Sequence, residues 1–130
     1  MKLFSAVLFS SSLLVLSTLA RAESPCANEE HFPLITKSEL KQVVDQGGAF
    51  VVDVNSKKSF KKAHVPSAIH FASNEKTFET MLPKDKSALI VAYCGGPSCT
   101  AWHKAAQKAC EMGYTNVKHF KEGISGWTKS

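Results

Sequence analysis

The stretch ALIVAYCGGPSCTA, residues 88–101, decides the fold, because an apolar run stops at a cysteine and a glycine-rich loop follows. Residues 88–93 form a short apolar run with branched side chains, which is typical of a buried strand. From residue 101, small and apolar side chains repeat at three-to-four spacing as far as Gly113, which predicts a helix ended by that glycine. Cys94 therefore lies where a strand gives way to the start of a helix.

Further apolar segments suit short buried strands. They are residues 49–54, 68–71 and 116–120. Helical signals separate them: residues 36–39 have capping-box spacing and Gly47 stops the helix that follows, residues 57–62 predict a short basic helix, and a helical turn is expected within 75–81. Alternating strands and helices predict an α/β domain with a mostly parallel sheet, in which ligands bind outside the carboxyl ends of the strands. Cys94 lies at such an end.

The N-terminus has the pattern of a secretory signal peptide. Lys2 precedes an uncharged stretch at 3–20, and Ala20-Arg21-Ala22 has the small-x-small form of a cleavage site. Six Ser and Thr residues in that stretch disfavour a membrane anchor, so the mature form is not expected to span a membrane. We expect export, to the periplasm. The predicted organisation is 1–22 signal peptide, 23–34 extended lead-in, 35–130 a single domain, closed by a turn-rich segment at 122–127.

Removal of the signal peptide changes the charge balance. The full chain has sixteen basic and eleven acidic residues, a net charge of +5; Lys2 and Arg21 leave with the signal peptide, so the mature charge is +3. That excess is too small to predict nucleic acid or acidic lipid as a partner. Arg21 is also the sole arginine, so lysine, histidine or backbone amides must hold any bound anion.

The loop after Cys94 is the candidate substrate-binding loop. Its residues are Gly95, Gly96, Pro97, Ser98, Cys99 and Thr100. Unpaired N–H groups and the helix dipole at such a place lower a thiol's pKa and stabilise a thiolate, a persulfide or a bound oxyanion. Thr100 is expected to cap the helix.

Four cysteines in an exported chain allow three complete pairings, among which the sequence does not choose. Cys26 can pair with Cys110 or remain free, and Cys110 by itself suits a small core position. Cys99 can close a disulfide with Cys94 as a resolving thiol, or it can be a free thiol with no role. Cys94, Cys99 and His103 would also suit Zn²⁺ or Cu⁺, but a fourth ligand is missing.

Several ordered motifs resemble a single rhodanese domain over nearly the whole mature chain. Residues 51–54 and 63–69 resemble the family's aspartate strand and its His-hydrophobic-Pro segment. Tyr93-Cys94 with a six-residue loop resembles its active site. Residues 113–117 and 122–127 resemble its closing strand and its Gly-Trp signature.

The resemblance implies a doubly wound α/β domain of the thiosulfate:cyanide sulfurtransferase class, with Cys94 as nucleophile. The implied donor is thiosulfate, a persulfide or a polysulfide, and the implied acceptor is a thiol or cyanide. No metal or organic cofactor is expected, whereas a redox partner protein is compatible with the pattern. Asp53 and His64 are interpreted as structural support rather than reacting groups.

The loop also departs from the family pattern. Thr100 stands where related phosphatases place the arginine of Cys-x5-Arg, which disfavours phosphate chemistry. The loop has no charge, Pro97 lacks an N–H, and the nearest cations in sequence are His103 and Lys104. Asn55 stands where the family often has arginine. These departures favour a persulfide or polysulfide donor over thiosulfate. The alternative is a thiol–disulfide oxidoreductase or redox-gated sulfur carrier that uses Cys94 and Cys99.

Overall fold

The computed structural model describes residues 23–130, so the expected signal peptide at 1–22 lies outside the described residues. Two 3₁₀ turns, Pro25–Ala27 and Glu29–His31, come first. The strands are β1 Phe50–Asp53, β2 Ile69–His70, β3 Ile90–Tyr93 and β4 Val117–His119. The helices are α1 Lys37–Asp45, α2 Lys57–Lys62, α3 Phe71–Asn74, α4 Phe78–Met81, α5 Trp102–Glu111 and α6 Gly123–Trp127.

The four strands form one parallel sheet in the order β2-β1-β3-β4. Asp53 at the end of β1 pairs with Tyr93 at the end of β3, so both central strands finish at the same edge. A bridge from Leu34 to His119 attaches the N-terminal segment beside β4. The predicted α/β class with a parallel sheet is confirmed, and the predicted capping box at the start of α1 is present.

Side chains alternate between the two faces of the sheet and build two apolar cores. One face carries Val52, Ile90 and Ala92 and packs against α3, α4 and α5. The other carries Val51, Val91 and Tyr93 and packs against α1, α2 and α6. Helices thus cover both faces, and the carboxyl edge of the sheet is left for the loop after Cys94.

Three local predictions were wrong. Residues 123–127 form a helix rather than turns, because their backbone is held by hydrogen bonds to a distant loop. Phe71 starts α3 instead of ending a strand. The segment 23–34 is not extended throughout, since it contains the two 3₁₀ turns, which are capped by Ser24 and Asn28.

Within residues 23–130, no helix has the length and apolarity needed to cross a membrane. In the same range, no cluster of three or more His, Cys, Asp or Glu side chains is arranged to hold a metal ion.

Candidate active site

Cys94 follows β3 directly and lies at the carboxyl end of the sheet, between β1 and β4. It is buried, with 2% of its surface exposed, whereas Cys99 is partly exposed. The two form a disulfide, with their Cα atoms 6.2 Å apart. The pairing that the sequence left open is therefore present, and in this state neither sulfur is available as a metal ligand.

The start of α6 holds the backbone of the loop. The Ile124 N–H donates to the Cys94 carbonyl oxygen at 2.9 Å, and the Ser125 N–H donates to that of Gly95 at 3.0 Å. In a trans peptide the C=O and the following N–H point in opposite directions. The N–H groups of Gly95 and Gly96 therefore point away from α6.

Gly123 makes this contact possible. Its φ is +60°, and a Cβ there would lie 2.5 Å from the Cys94 carbonyl oxygen and 2.6 Å from the Gly96 nitrogen. Real Cβ atoms do not approach that closely, so a glycine is required for both backbone conformation and space. In the sequence, this glycine is visible only as part of the Gly-Trp signature, and its structural role follows from a contact with a loop that is distant in sequence.

Several backbone donors of the loop are free. Among residues 23–130, no acceptor is found for the N–H groups of Gly95, Gly96, Ser98, Thr100, Ala101 and Trp102. These groups lie in the loop and at the N-terminus of α5, a helix of ten residues. Free N–H groups and the positive end of the helix dipole favour an anion, such as a cysteine thiolate or a persulfide.

The prediction that Thr100 caps α5 was wrong. Ala101 precedes the helix with helical dihedral angles, and no side chain in the described part of the chain caps the first turn. The chain is already turned at this point, because the His103 N–H bonds the Thr100 carbonyl at 3.1 Å. A capping side chain needs an extended backbone at the cap position, which this turn does not supply. The first donors of α5 consequently stay free.

Asp53 and Tyr93 join the ends of the two central strands. The Tyr93 hydroxyl donates to Asp53 Oδ2 at 2.6 Å and accepts from the Val65 N–H at 3.0 Å. The Asn55 N–H donates to Asp53 Oδ1 at 2.7 Å. Burial and the bond to Asp53 raise the pKa of Tyr93 far above its usual range, so the hydroxyl keeps its proton. His64 is exposed, stacks on Phe60 and lies outside this network.

Asn55 lies beside the loop because it follows the end of β1, which is paired with the end of β3. A Cβ on Gly95 would be 3.6 Å from Asn55 Oδ1. Asn55 Nδ2 is buried without a hydrogen-bond partner in the described part of the chain. The amide therefore adds a polar group to the edge where Cys94 lies.

The cations near the loop come from distant parts of the sequence. Lys104, which the sequence placed nearest, pairs with Glu75 at 2.7 Å. Lys121 lines a cleft on one side of the loop, and Lys37 and Lys129 line another beside Pro97. Sequence spacing alone gives no signal for these three lysines.

The second disulfide joins Cys26 to Cys110 across 84 residues of sequence. It attaches the N-terminal segment to α5, and Phe32 packs edge-on against Trp102 with 5.9 Å between ring centroids. The His119 ring stacks on the Trp102 ring, with 3.6 Å between the two ring centroids. Burial and the nearby Lys121 lower the pKa of His119 to about 4, so its ring is neutral at pH 7.

Residues 36–130 match the rhodanese-like domain family. The BH2092 protein from Bacillus halodurans is 31% identical with a TM-score of 0.62, over 75% of this chain and 72% of that chain. The human single-domain sulfurtransferase is 20% identical with a TM-score of 0.61, over 75% of this chain and 98% of its own. Thiosulfate sulfurtransferase from Pseudomonas aeruginosa is 21% identical with a TM-score of 0.63, over 77% of this chain and 19% of its own. The last two similarities concern the fold.

Proposed function

The chain belongs to the family of rhodanese-like domains, and on that premise we propose that it is a sulfurtransferase that carries sulfane sulfur on Cys94. The observation that carries the proposal is the loop after β3. The carbonyls of Cys94 and Gly95 accept hydrogen bonds from α6, and within residues 23–130 the N–H groups of Gly95, Gly96 and Ser98 have no acceptor. Such a loop stabilises a negatively charged sulfur.

The reaction needs the reduced form of Cys94. Its thiolate attacks the outer sulfur of a donor, the donor's sulfur bond breaks, and the leaving group takes the electron pair; with thiosulfate this group is sulfite. The acceptor, a thiol or cyanide, then attacks the outer sulfur of the Cys94 persulfide and restores the thiolate. This is covalent catalysis with the backbone N–H groups as the electrostatic stabiliser. Neither step requires a metal or an organic cofactor.

The charge distribution favours a donor without the sulfonate group of thiosulfate. The loop itself carries no charged side chain, and Lys104 is engaged with Glu75. Thiosulfate is a dianion that arginine forks or clustered lysines usually hold, and the mature chain has no arginine. We therefore expect a persulfide or polysulfide to load Cys94 faster than thiosulfate does.

Turnover by the reduced protein tests this function. Thiosulfate and a polysulfide are compared as donors, with cyanide as acceptor, in the wild type, Cys94→Ser and Cys99→Ser. We expect Cys94→Ser to abolish turnover and Cys99→Ser, the matched control in the same loop, to keep it. Turnover that survives Cys94→Ser would refute the proposal.

A second function is favoured by the Cys94–Cys99 disulfide. A dithiol that opens and closes could exchange disulfides with a redox partner protein instead of moving sulfur. This alternative requires both cysteines. If the reduced wild type failed to load sulfur from either donor, but reduced a partner disulfide to its dithiol in a Cys99-dependent manner and was itself oxidised to the Cys94–Cys99 disulfide, the second function would replace the first.

Export to the periplasm remains part of the proposal. Two disulfides within residues 23–130 support an oxidising compartment, where such bonds persist. Cell fractionation and N-terminal sequencing test it. We expect a periplasmic protein that begins at Glu23, and a cytoplasmic protein that retains residues 1–22 would contradict export.

A further inference from the structure

A cleft of about 440 Å³ opens beside the loop, between the N-terminal segment and the end of β4. Glu29, Glu30 and Leu34 contribute one wall, Cys99 belongs to the loop side, and Lys121 follows β4. The volume is in the range of pockets that take small molecules. Nothing in the sulfur-transfer steps on Cys94 accounts for this cleft.

Only one residue of the disulfide lines the cleft. Cys99 lines the cleft and is partly exposed, whereas Cys94 is absent from the lining and only 2% exposed. Thiol–disulfide exchange depends on which sulfur an incoming thiolate can reach. A thiol in the cleft therefore meets Cys99.

The wall formed by the N-terminal segment is firmly attached. The Cys26–Cys110 disulfide fixes its start to α5. The His119 N–H donates to the Pro33 carbonyl oxygen at 2.9 Å and so fixes its end to β4. This wall precedes residue 36, where the match to the rhodanese-like family begins. One wall of the cleft therefore lies outside the matched domain, and the other lies within it.

The cleft has charges of both signs at its borders. Glu29 and Glu30 are exposed carboxylates on one wall, and Lys121 is an exposed cation. His119 lies in the lining but is neutral at pH 7, as described above. A ligand with an ammonium group and a carboxylate can place each near the opposite charge.

We propose that this cleft binds an amino-acid or short-peptide thiol, which reduces the Cys94–Cys99 disulfide by attacking Cys99 Sγ. The inference rests on the proposed function, since it supplies the reduced Cys94 that sulfur transfer requires. The reductant is the ligand itself: two molecules of the thiol are oxidised to one disulfide.

Reduction of the Cys94–Cys99 disulfide takes two exchange steps. The ligand thiolate forms a bond to Cys99 Sγ, the Cys94–Cys99 bond breaks, and its electron pair leaves on Cys94 as a thiolate. A second ligand thiolate then attacks the ligand sulfur of the mixed disulfide, releases Cys99 as a thiolate, and forms the ligand disulfide. The free N–H groups of the loop stabilise the first leaving group, and a stabilised leaving thiolate departs faster.

The point of attack is tested by trapping. The oxidised protein is mixed with L-cysteine in the presence of N-ethylmaleimide, and its peptides are mapped by mass spectrometry. We expect the cysteine adduct on Cys99 and the maleimide on Cys94. The reverse distribution would overturn the inference.

The binding site is tested by reduction rates. L-cysteine is compared with uncharged 2-mercaptoethanol at low ionic strength, each rate being corrected for its thiolate fraction. Lys121→Gln should slow reduction of the disulfide by L-cysteine about threefold, which is the effect of losing a solvent-exposed charge pair. It should leave the rate of reduction by 2-mercaptoethanol unchanged. Lys57→Gln on α2 is the matched control and should change neither rate. If the two variants changed the rate of reduction by L-cysteine equally, or if Lys121→Gln did not change it, the cleft would be refuted as the binding site.

Sulfur loading of the fully reduced wild type is measured in parallel. If it loads no sulfur but the adduct forms on Cys99, the proposed function fails and the reduction route stands. If it loads sulfur but the adduct forms on Cys94, the reduction route fails and the proposed function stands.

Discussion

Replacing Gly123 by alanine tests whether α6 shapes the loop that carries Cys94. The φ of Gly123 is +60°, a conformation that costs an L-residue about 1–2 kcal/mol. The added Cβ would also lie 2.5 Å from the Cys94 carbonyl oxygen and 2.7 Å from the Gly95 carbonyl carbon. Relief of such overlap costs about 1–3 kcal/mol more. We expect Gly123→Ala to lower the free energy of unfolding by about 2–5 kcal/mol in total.

Gly47→Ala separates the two costs. Gly47 has a similar φ of +66°, but apart from its chain neighbours no atom of residues 23–130 lies within 4 Å of its Cβ position. This control should show only the conformational cost, about 1–2 kcal/mol. Urea denaturation of both variants and the wild type, all fully reduced, measures the difference between them.

The same variants are tested for sulfur loading. Relief of the overlap must move Gly123 or the loop, which disturbs the bonds from Ile124 and Ser125 to the loop carbonyls. Displacement of reacting groups by about 1 Å can cost on the order of a hundredfold in rate, so we expect loading of Cys94 to fall at least tenfold. Gly47→Ala should load normally. If both variants lose the same stability and load at the same rate, the argument that α6 shapes the loop is wrong.

Other variants probe the supports around the site. Tyr93→Phe leaves an oxygen of buried Asp53 without its donor and should cost about 1–3 kcal/mol in urea denaturation; an unchanged midpoint would contradict the role given to the hydroxyl. Replacing both Cys26 and Cys110 by serine removes a disulfide that spans 84 residues, which should lower the free energy of unfolding by about 4.5 kcal/mol under oxidising conditions. Against the reduced wild type, the same variant should show no loss. His119 has a pKa of about 4 in the folded state, below its ordinary 6.5. The contribution of its neutral ring to the free energy of unfolding is therefore complete above pH 6.5 and is lost as the pH falls towards 4. The loss should reach about 3 kcal/mol, and urea denaturation between pH 7 and pH 4 should show it in the wild type but not in His119→Asn. If the free energy of unfolding fell equally with pH in both proteins, this role of His119 would be refuted.

Local patterns predicted most of the fold. The apolar runs around β1 and β3 and the capping box of α1 are signals within a few residues, and the structure confirms them. The segment of α6 is rich in glycine and serine, which have low helix propensity. Its helix depends on bonds to a loop far away in sequence, so no local pattern could predict it.

The site was predicted less completely. Cys94 and its loop could be found because a strand end, glycines and a helix start coincide in sequence. The Cys26–Cys110 pairing and the position of Lys121 depend on how distant segments meet, which spacing does not reveal. The capping role of Thr100 failed because α5 begins at Trp102, one residue later than such a cap would place it, and Ala101 before it already has helical dihedral angles.

The central claim is that Cys94 carries the transferred sulfur, and intact mass tests it most directly. Reduced wild type and Cys94→Ser are each exposed to thiosulfate or a polysulfide, and their intact masses are measured by mass spectrometry. The masses are measured again after treatment with cyanide. The account predicts that the wild type gains one sulfur atom, that cyanide removes it, and that Cys94→Ser gains none. A wild type that instead loses two hydrogens in a Cys99-dependent manner, with no gain of sulfur from either donor, would contradict it.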